Sequence, residues 1–175
     1  TGGSARLGSV ATSPQPWDTG VASRDWGSGR VSAVEPGPGV EYRQFEGLPD
    51  GKVLADLLRL HELVFGDGEA DRMLREARNR HRLLTLVALA GQQVVGYKIG
   101  YERKPGHFYS WVGAVAPGFR RRGIASELMR RQHAWCREQG YGTIRTATKN
   151  KWRDMLILNL RHGFDIIGVY VDQRG

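Results

Sequence analysis

The stretch Val115-Ala116-Pro117-Gly118-Phe119-Arg120-Arg121-Arg122-Gly123-Ile124-Ala125-Ser126 lies where one periodicity gives way to another. Before it, Phe108–Val115 reads as a strand on which Tyr109, Trp111, Gly113 and Val115 share a face by alternation. After it, Ile124, Ala125, Leu128, Met129, Trp135 and Cys136 fall on one broad face of a helix that Gly140 ends. Pro117-Gly118 stops the strand. The first turn of a helix presents unpaired N–H groups and the positive end of a dipole, so a strand, a basic Gly-containing turn and a helix start together suit a phosphate. Gly123 and Ala125 let an anion approach the backbone, and Arg120, Arg121 and Arg122 add guanidinium donors. The turn has no Gly-Lys-Ser/Thr and no G-x-G-x-x-G, which excludes the Walker and dinucleotide fingerprints. On the turn alone, a solvated basic surface explains the arginines equally well.

Working outward, Val40–Phe45 alternates as a strand. Residues 52–64 place Val53, Leu54, Leu57, Leu58, Leu60, His61 and Val64 at helical spacing, and 69–81 reads as a second, more exposed helix. Leu83–Ala90 is a continuous apolar run, Gly91-Gln92 turns it, and Val94–Glu102 returns. Beyond Gly140, Thr143–Thr148 is a strand. Lys151–His162 is a helix with Trp152, Met155, Leu156 and Leu160 inward, and Phe164–Val171 is a last strand. The order is β-α-α-β-β-β-α-β-α-β. Residues 1–38, rich in Gly, Ser, Pro and Thr, read as a flexible extension, because too little apolar surface is available there to offset backbone entropy. Residues 39–175 form the domain.

Among 175 residues, 40% are hydrophobic and 25% charged, which excludes a fully disordered or fibrous chain. No window approaches the ~18 apolar residues of a membrane span, so no membrane partner is expected. The single cysteine, Cys136, excludes an internal disulfide framework and a Cys-based zinc site, and no metal is expected. A cytoplasmic location is the default expectation. The net charge of +8 by itself suits nucleic acid, an anionic membrane or a phosphorylated small molecule, and composition alone does not choose among these.

Arg120-x-x-Gly123-x-Ala125 after Val115-Ala116-Pro117 resembles the R/Q-x-x-G-x-G/A signature of the GNAT acyl-CoA N-acyltransferases. Thr146-x-Thr148-x-Asn150, followed by Met155-x-x-Leu158-Asn159-x-x-x-Gly163-Phe164, is similar to that family's strand, asparagine, helix and Gly-Phe block, and the element order from Val40 agrees. The resemblance implies an α/β fold with a mixed, mostly antiparallel sheet and helices on both faces. The family's closing strand would be missing after Gly175, leaving an exposed sheet edge that would suit a homodimer. It implies acetyl-CoA or another acyl-CoA as co-substrate. The backbone of Arg121, Arg122, Gly123, Ile124, Ala125 and Ser126 would hold the pyrophosphate, helped by the side chains of Arg120, Arg121 and Arg122, one of them on the ribose 3′-phosphate. The pantetheine arm would lie along Gly113, Ala114 and Val115 where the strand splays from its neighbour, with Asn150 and Asn159 contacting the arm or the leaving end.

The activity implied is transfer of an acyl group to a primary amine by direct attack in a ternary complex. Positioning supplies much of the rate, and an amide near the carbonyl stabilises the oxyanion. Asn159 stands where many relatives carry a Tyr acid, and an amide has no proton to give chemically, so water or Tyr170 would supply it. Tyr109 stands where some relatives carry a catalytic Glu, and Glu102 is the nearest carboxylate in sequence; both are candidate bases. Tyr101, Tyr109 and Trp111 are candidates for an acceptor pocket. His133, on an Arg-rich helix, reads as exposed, and Cys136 as a packed thiol. Two other readings stay open: a non-catalytic acyl-CoA-binding module, and a basic nucleic-acid-binding domain, which ranks last because no RRM, KH or zinc-finger signature is present.

Overall fold

The computed structural model describes residues 21–23 and 39–169. The elements are β1 (Val21–Ser23), β2 (Val40–Glu46), α1 (Gly51–Phe65), α2 (Glu69–Ala77), β3 (Leu84–Ala90), β4 (Gln93–Lys104), β5 (His107–Val115), α3 (Ile124–Glu138), β6 (Thr143–Thr146), α4 (Arg153–Arg161) and β7 (Asp165–Ile166). A short 3-10 turn, Pro117–Phe119, precedes α3. The strands form one sheet ordered β2-β3-β4-β5-β6-β1-β7. All neighbours are antiparallel except β5 and β6. From β2 onward the element order is the one read from the sequence.

The continuous apolar run becomes β3 because that strand is covered on both faces; six of its seven residues are buried. On one face Leu57, Leu60, Met73, Val87, Tyr97 and Ile99 pack between α1, α2 and the sheet. On the other, Leu84, Leu86, Val95, Phe108, Ile124, Leu128, Met129 and Cys136 pack beneath α3, and Met155, Leu156 and Leu158 of α4 join them. Helices therefore lie on both faces. The α4 face differs from the periodicity reading: Leu160 is 45% exposed and Trp152 37%, while Asn159 is buried. His133 is also buried, at 6% exposure, because Phe164 of the chain's return stacks on it at 5.2 Å.

The segment read as an extension enters the sheet at one place. Val21–Ser23 pairs antiparallel with β6, Ala22 opposite Arg145, and with β7, Ala22 opposite Asp165. The sheet position between β6 and β7 is thus filled from before the domain. Three residues are too short for any period to show, so only long-range pairing reveals them. The rest of 1–38, including Trp17 and Trp26, lies outside the described residues, as does Tyr170. Deleting residues 1–38 strips β6 and β7 of this partner. We expect the urea unfolding midpoint to fall, by about 1–3 kcal/mol of stability from the lost ladder bonds; an unchanged midpoint would show that β1 contributes nothing.

Candidate functional site

β5 and β6 run side by side only briefly. His107, Phe108 and Tyr109 pair with Thr143, Ile144 and Arg145, and then the strands part. Thr146 Oγ1 donates to the Ser110 carbonyl at 2.7 Å, marking the apex. From Val112 to Val115, β5 stays paired with β4, Gly113 opposite Lys98 and Ala114 opposite Tyr97, but among the described residues no strand pairs with its other edge. An unpaired edge inside a sheet is a template for an extended, amide-bearing ligand.

Within that strand the register shifts: Ile99 faces Val112 while Gly100 faces Ser110, so Trp111 is bulged. The expected shared face of Tyr109, Trp111, Gly113 and Val115 is therefore broken. Tyr109 and Trp111 pack toward α1 and α2. Gly113 and Val115 turn to the α3 face with their partners Lys98 and Gly96, where a Cβ on Gly96 would meet Ile124. One extra residue is enough to do this, because side chains alternate with period two.

The turn after β5 aims its backbone outward. Arg121 has φ +63° and Gly123 φ +79°, both left-handed. Among the described residues, no backbone acceptor is met by the N–H groups of Arg121, Arg122, Gly123, Ile124, Ala125 or Ser126; the ladder resumes with Glu127 N–H donating to Gly123. Successive N–H groups in such a turn, at the positive end of a 15-residue helix, make an anion cradle. The Ile124 side chain is buried, so this residue can offer only its backbone. The three arginines go three ways. Arg120 Nε donates to the Val115 carbonyl at 3.2 Å, Arg121 reaches Asp154 of α4 at 3.4 Å, and Arg122 lies 5.0 Å over the Phe119 ring. The Arg121–Asp154 pair is more than 80% exposed on both sides and is free to release Arg121 to a ligand.

α4, which follows β6, packs on the α3 face of the sheet. Asn159 is 1% exposed and its Nδ2 donates to Thr148 Oγ1 at 2.9 Å. Its Oδ1, and the Ser110 hydroxyl across the cleft, are buried without a hydrogen-bond partner among the described residues. Orphaned buried oxygens are costly and mark a place where a polar ligand or water belongs. Asn150 is exposed in the loop leading to α4. Ser126 of the cradle is hydrogen-bonded to His162 Nε2 at 2.7 Å, tying α3 to the end of α4. Burial and the nearby Lys98 hold His162 below the usual histidine range.

The structure separates the two candidate bases. Tyr109 faces α1 and α2, its ring 5.6 Å from that of Tyr101; Trp111 lies 5.9 Å from Tyr101, and the Arg80 guanidinium 4.5 Å over it. Glu102 is on the other face, opposite Phe108, where Tyr141 donates to it at 2.8 Å and Arg82 lies 3.7 Å away. A carboxylate held there by Tyr141, Arg82 and His81 lies on the opposite face of the sheet from Tyr109. The sequence reading missed His61. It is 4% exposed on α1, hydrogen-bonded through Nδ1 to Tyr97, with Phe65 stacked 4.6 Å away and Phe65 in turn 5.8 Å from Trp152 at the start of α4. That chain of rings runs from β4 across to the far wall of the cleft. The only signal was a histidine on the apolar face of a helix. No group of His, Cys, Asp or Glu among the described residues is placed to hold a metal ion.

The model of the acetyltransferase (GNAT) family matches residues 54–164, and the chain belongs to that family. No curated protein matches. Among solved structures, the chain is similar to an aminoglycoside acetyltransferase, meta-AAC0020, from an uncultured soil metagenomic sample, at TM-score 0.60 and 20% identity over 79% of this chain and 99% of that one. It is similar to aminoglycoside N-acetyltransferase AAC(6')-Iy in complex with CoA, at TM-score 0.63 and 17% identity over 78% and 94%. A third is AAC(6')-Ih from Acinetobacter baumannii, at TM-score 0.61 and 21% identity over 77% and 96%. At such identities these likenesses concern the fold.

Proposed function

We propose that this protein transfers an acyl group, in the simplest case acetyl, from acyl-CoA to a primary amine by direct attack in a ternary complex. The observation that carries this reading is the parting of β5 from β6 directly above the cradle of free N–H groups. A cradle alone would suit any phosphate. A cradle followed by an unpaired strand edge suits a phosphate joined to a long amide-bearing arm, which is the chemistry of coenzyme A. With the pyrophosphate on Arg121–Ser126, the arm runs back along Val115, Ala114 and Gly113, and an amide there faces the thioester carbonyl as oxyanion donor.

The acceptor amine enters from the face of Tyr101, Tyr109 and Trp111. On that face we assign proton removal, directly or through water, to His61, with Tyr97 fixing its ring. Burial holds His61 below the usual 6.5, so it is neutral at pH 7 and able to accept a proton. The sign follows: kcat/KM rises with pH through a value below 6.5 and levels off above it, and His61→Ala removes that acid limb. A limb unchanged in the variant would remove His61 from the mechanism. The acceptors of the similar structures are aminoglycosides; an aminoglycoside therefore joins polyamines and peptide amino groups in the screen.

The first test is calorimetric titration with acetyl-CoA, desulfo-CoA, ATP and a short RNA. Micromolar binding of the coenzyme in preference to ATP and RNA is expected. Binding without release of thiol in the presence of any amine would favour the second reading, an acyl-CoA-binding module, which Asn159 in place of an acid motivates. RNA binding with a steep salt dependence and no coenzyme binding would overturn both.

A further inference from the structure

Acyl transfer leaves a thiolate that must gain a proton, and Asn159, the polar side chain on the α4 wall, has none to give. Lys98 lies on the same face of the sheet. It sits on β4 directly opposite Gly113, so no side chain on β5 screens it from the strand edge where the thioester would lie. The site of Gly113 is tight as well as bare: a Cβ there would come within 2.8 Å of the Tyr97 carbonyl and 3.6 Å of Lys98 Cβ. Lys98 is 4% exposed. Its ammonium acts electrostatically on His133 and Cys136 of α3 and on His162 at the end of α4, so it lies on the face of the sheet that these helices cover. Among the described residues it has no carboxylate partner. A buried ammonium without a counter-ion is costly, and an apolar side chain would pack here at no such cost.

We propose that Lys98 is the proton donor to the departing thiolate, an assignment that rests on the acyl-transfer reading above. The amine nitrogen forms a bond to the acyl carbon, the carbon–sulfur bond breaks with its electron pair going to sulfur, and a Lys98 N–H gives its proton to that sulfur. The thiol leaves with Lys98 as a neutral amine. The proton lost by the acceptor amine returns to Lys98 through solvent, and the balance closes without a co-reactant.

The surroundings suit the task. Burial brings Lys98 down to about 8, near the range of an alkyl thiol, where proton exchange between the two is close to balanced. The groups facing it stay neutral there. Burial holds His133 down to about 3 and His162 below the usual range, and pushes the Cys136 thiol up; Arg137 adds a fixed positive charge felt by His133 and Cys136. Any titration of this cluster near pH 8 therefore belongs to Lys98 and the bound thiol, as a coupled pair.

The test needs no known acceptor. Coenzyme A is bound to the wild-type protein, to Lys98→Met and to Lys98→Arg, and the thiol is titrated by thiolate absorbance against the desulfo-CoA complex as blank. An adjacent ammonium lowers a thiol's pKa, so the bound thiol should titrate about one pH unit lower in the wild type than in Lys98→Met. Lys98→Arg keeps the charge and should keep the low value. With an amine from the screen, both variants should lose about 100-fold in kcat, since a guanidinium does not give up its proton, while acetyl-CoA affinity changes little. Equal thiol titration in wild type and Lys98→Met, or undiminished kcat in Lys98→Arg, would overturn the assignment and leave acyl transfer standing. Absence of coenzyme binding by the wild type would overturn acyl transfer itself and this assignment with it. If Lys98→Met does not fold, Lys98→Arg against wild type decides by kcat.

Discussion

Gly123→Val is expected to weaken coenzyme A binding at least ~100-fold while shifting the melting temperature by only a few degrees. Gly123 sits at φ +79° as the N-cap of α3, and Arg121 two residues earlier is also left-handed. A β-branched residue in that region is strained by about 1–2 kcal/mol and relieves the strain by turning to negative φ. That turn swings the peptide planes on either side. The N–H groups of Gly123 and Ile124 then no longer converge with those of Ala125 and Ser126. Each charge-assisted hydrogen bond to phosphate is worth about 1.5–3 kcal/mol, so losing two amounts to a factor of roughly 10² to 10⁴ in affinity. Folding suffers less, because the turn is on the surface and Ile124 keeps its place in the core. Calorimetric titration with acetyl-CoA alongside a thermal melt separates the two effects. Unchanged affinity with a collapsed melting temperature would make Gly123 a folding residue and remove the cradle from the site.

Gly100→Val is expected to be the most damaging single change to stability, at about 3 kcal/mol or more. A Cβ at position 100 would lie 2.4 Å from Phe108 Cε1 and 2.8 Å from the Tyr109 carbonyl. Neither can yield. Phe108 is 1% exposed and wedged between Trp135 at 5.4 Å and Tyr141 at 5.2 Å, and Tyr109 is the last β5 residue paired with β6. Relief would have to come from moving the β5 backbone at the point where the cleft begins, so coenzyme binding should fall together with stability. Gly96→Ala is the control. Its Cβ meets one side-chain atom closely, Ile124 Cγ2 at 2.9 Å, and no backbone atom nearer than 3.5 Å, so the loss should be smaller. Urea unfolding of the two variants checks the order, and equal midpoints would show that the Phe108 packing is more forgiving than its geometry implies.

The turn proposed as the phosphate cradle was readable in the sequence because its elements are local. The cradle depends on Gly123, on the residues beside it and on the start of an amphipathic helix, all within a dozen positions. Burial of β3, the turn at Gly91 and the packing of Cys136 follow from unbroken apolar runs or helical spacing. Other features were opaque for identifiable reasons. The bulge at Trp111 adds one residue to β5 and reverses which face Gly113 takes, and only pairing with β4 shows it. His133 looked exposed among arginines until Phe164, arriving from beyond α4, covered it. Glu102 was close to Tyr109 in sequence but lies on the opposite face, held by Tyr141. Lys98 gave a visible signal, a lysine inside an apolar strand between Gly96 and Gly100, but its neighbours come from two helices far along the chain.

The sequence by itself determined the element order from Val40, the two-sided burial of the central strands and the basic, glycine-containing turn before α3. Each of these is set by backbone geometry and side-chain periodicity over a few residues, and needs no distant partner. Only the tertiary structure decided where β5 and β6 part, that Val21–Ser23 fills the sheet beside β6, and that His61, bonded to Tyr97, and Lys98 lie on opposite faces of β4. Those outcomes depend on register and on packing between segments remote in the chain. A one-residue change of register reverses a face, and no local pattern records which register the assembled sheet will choose.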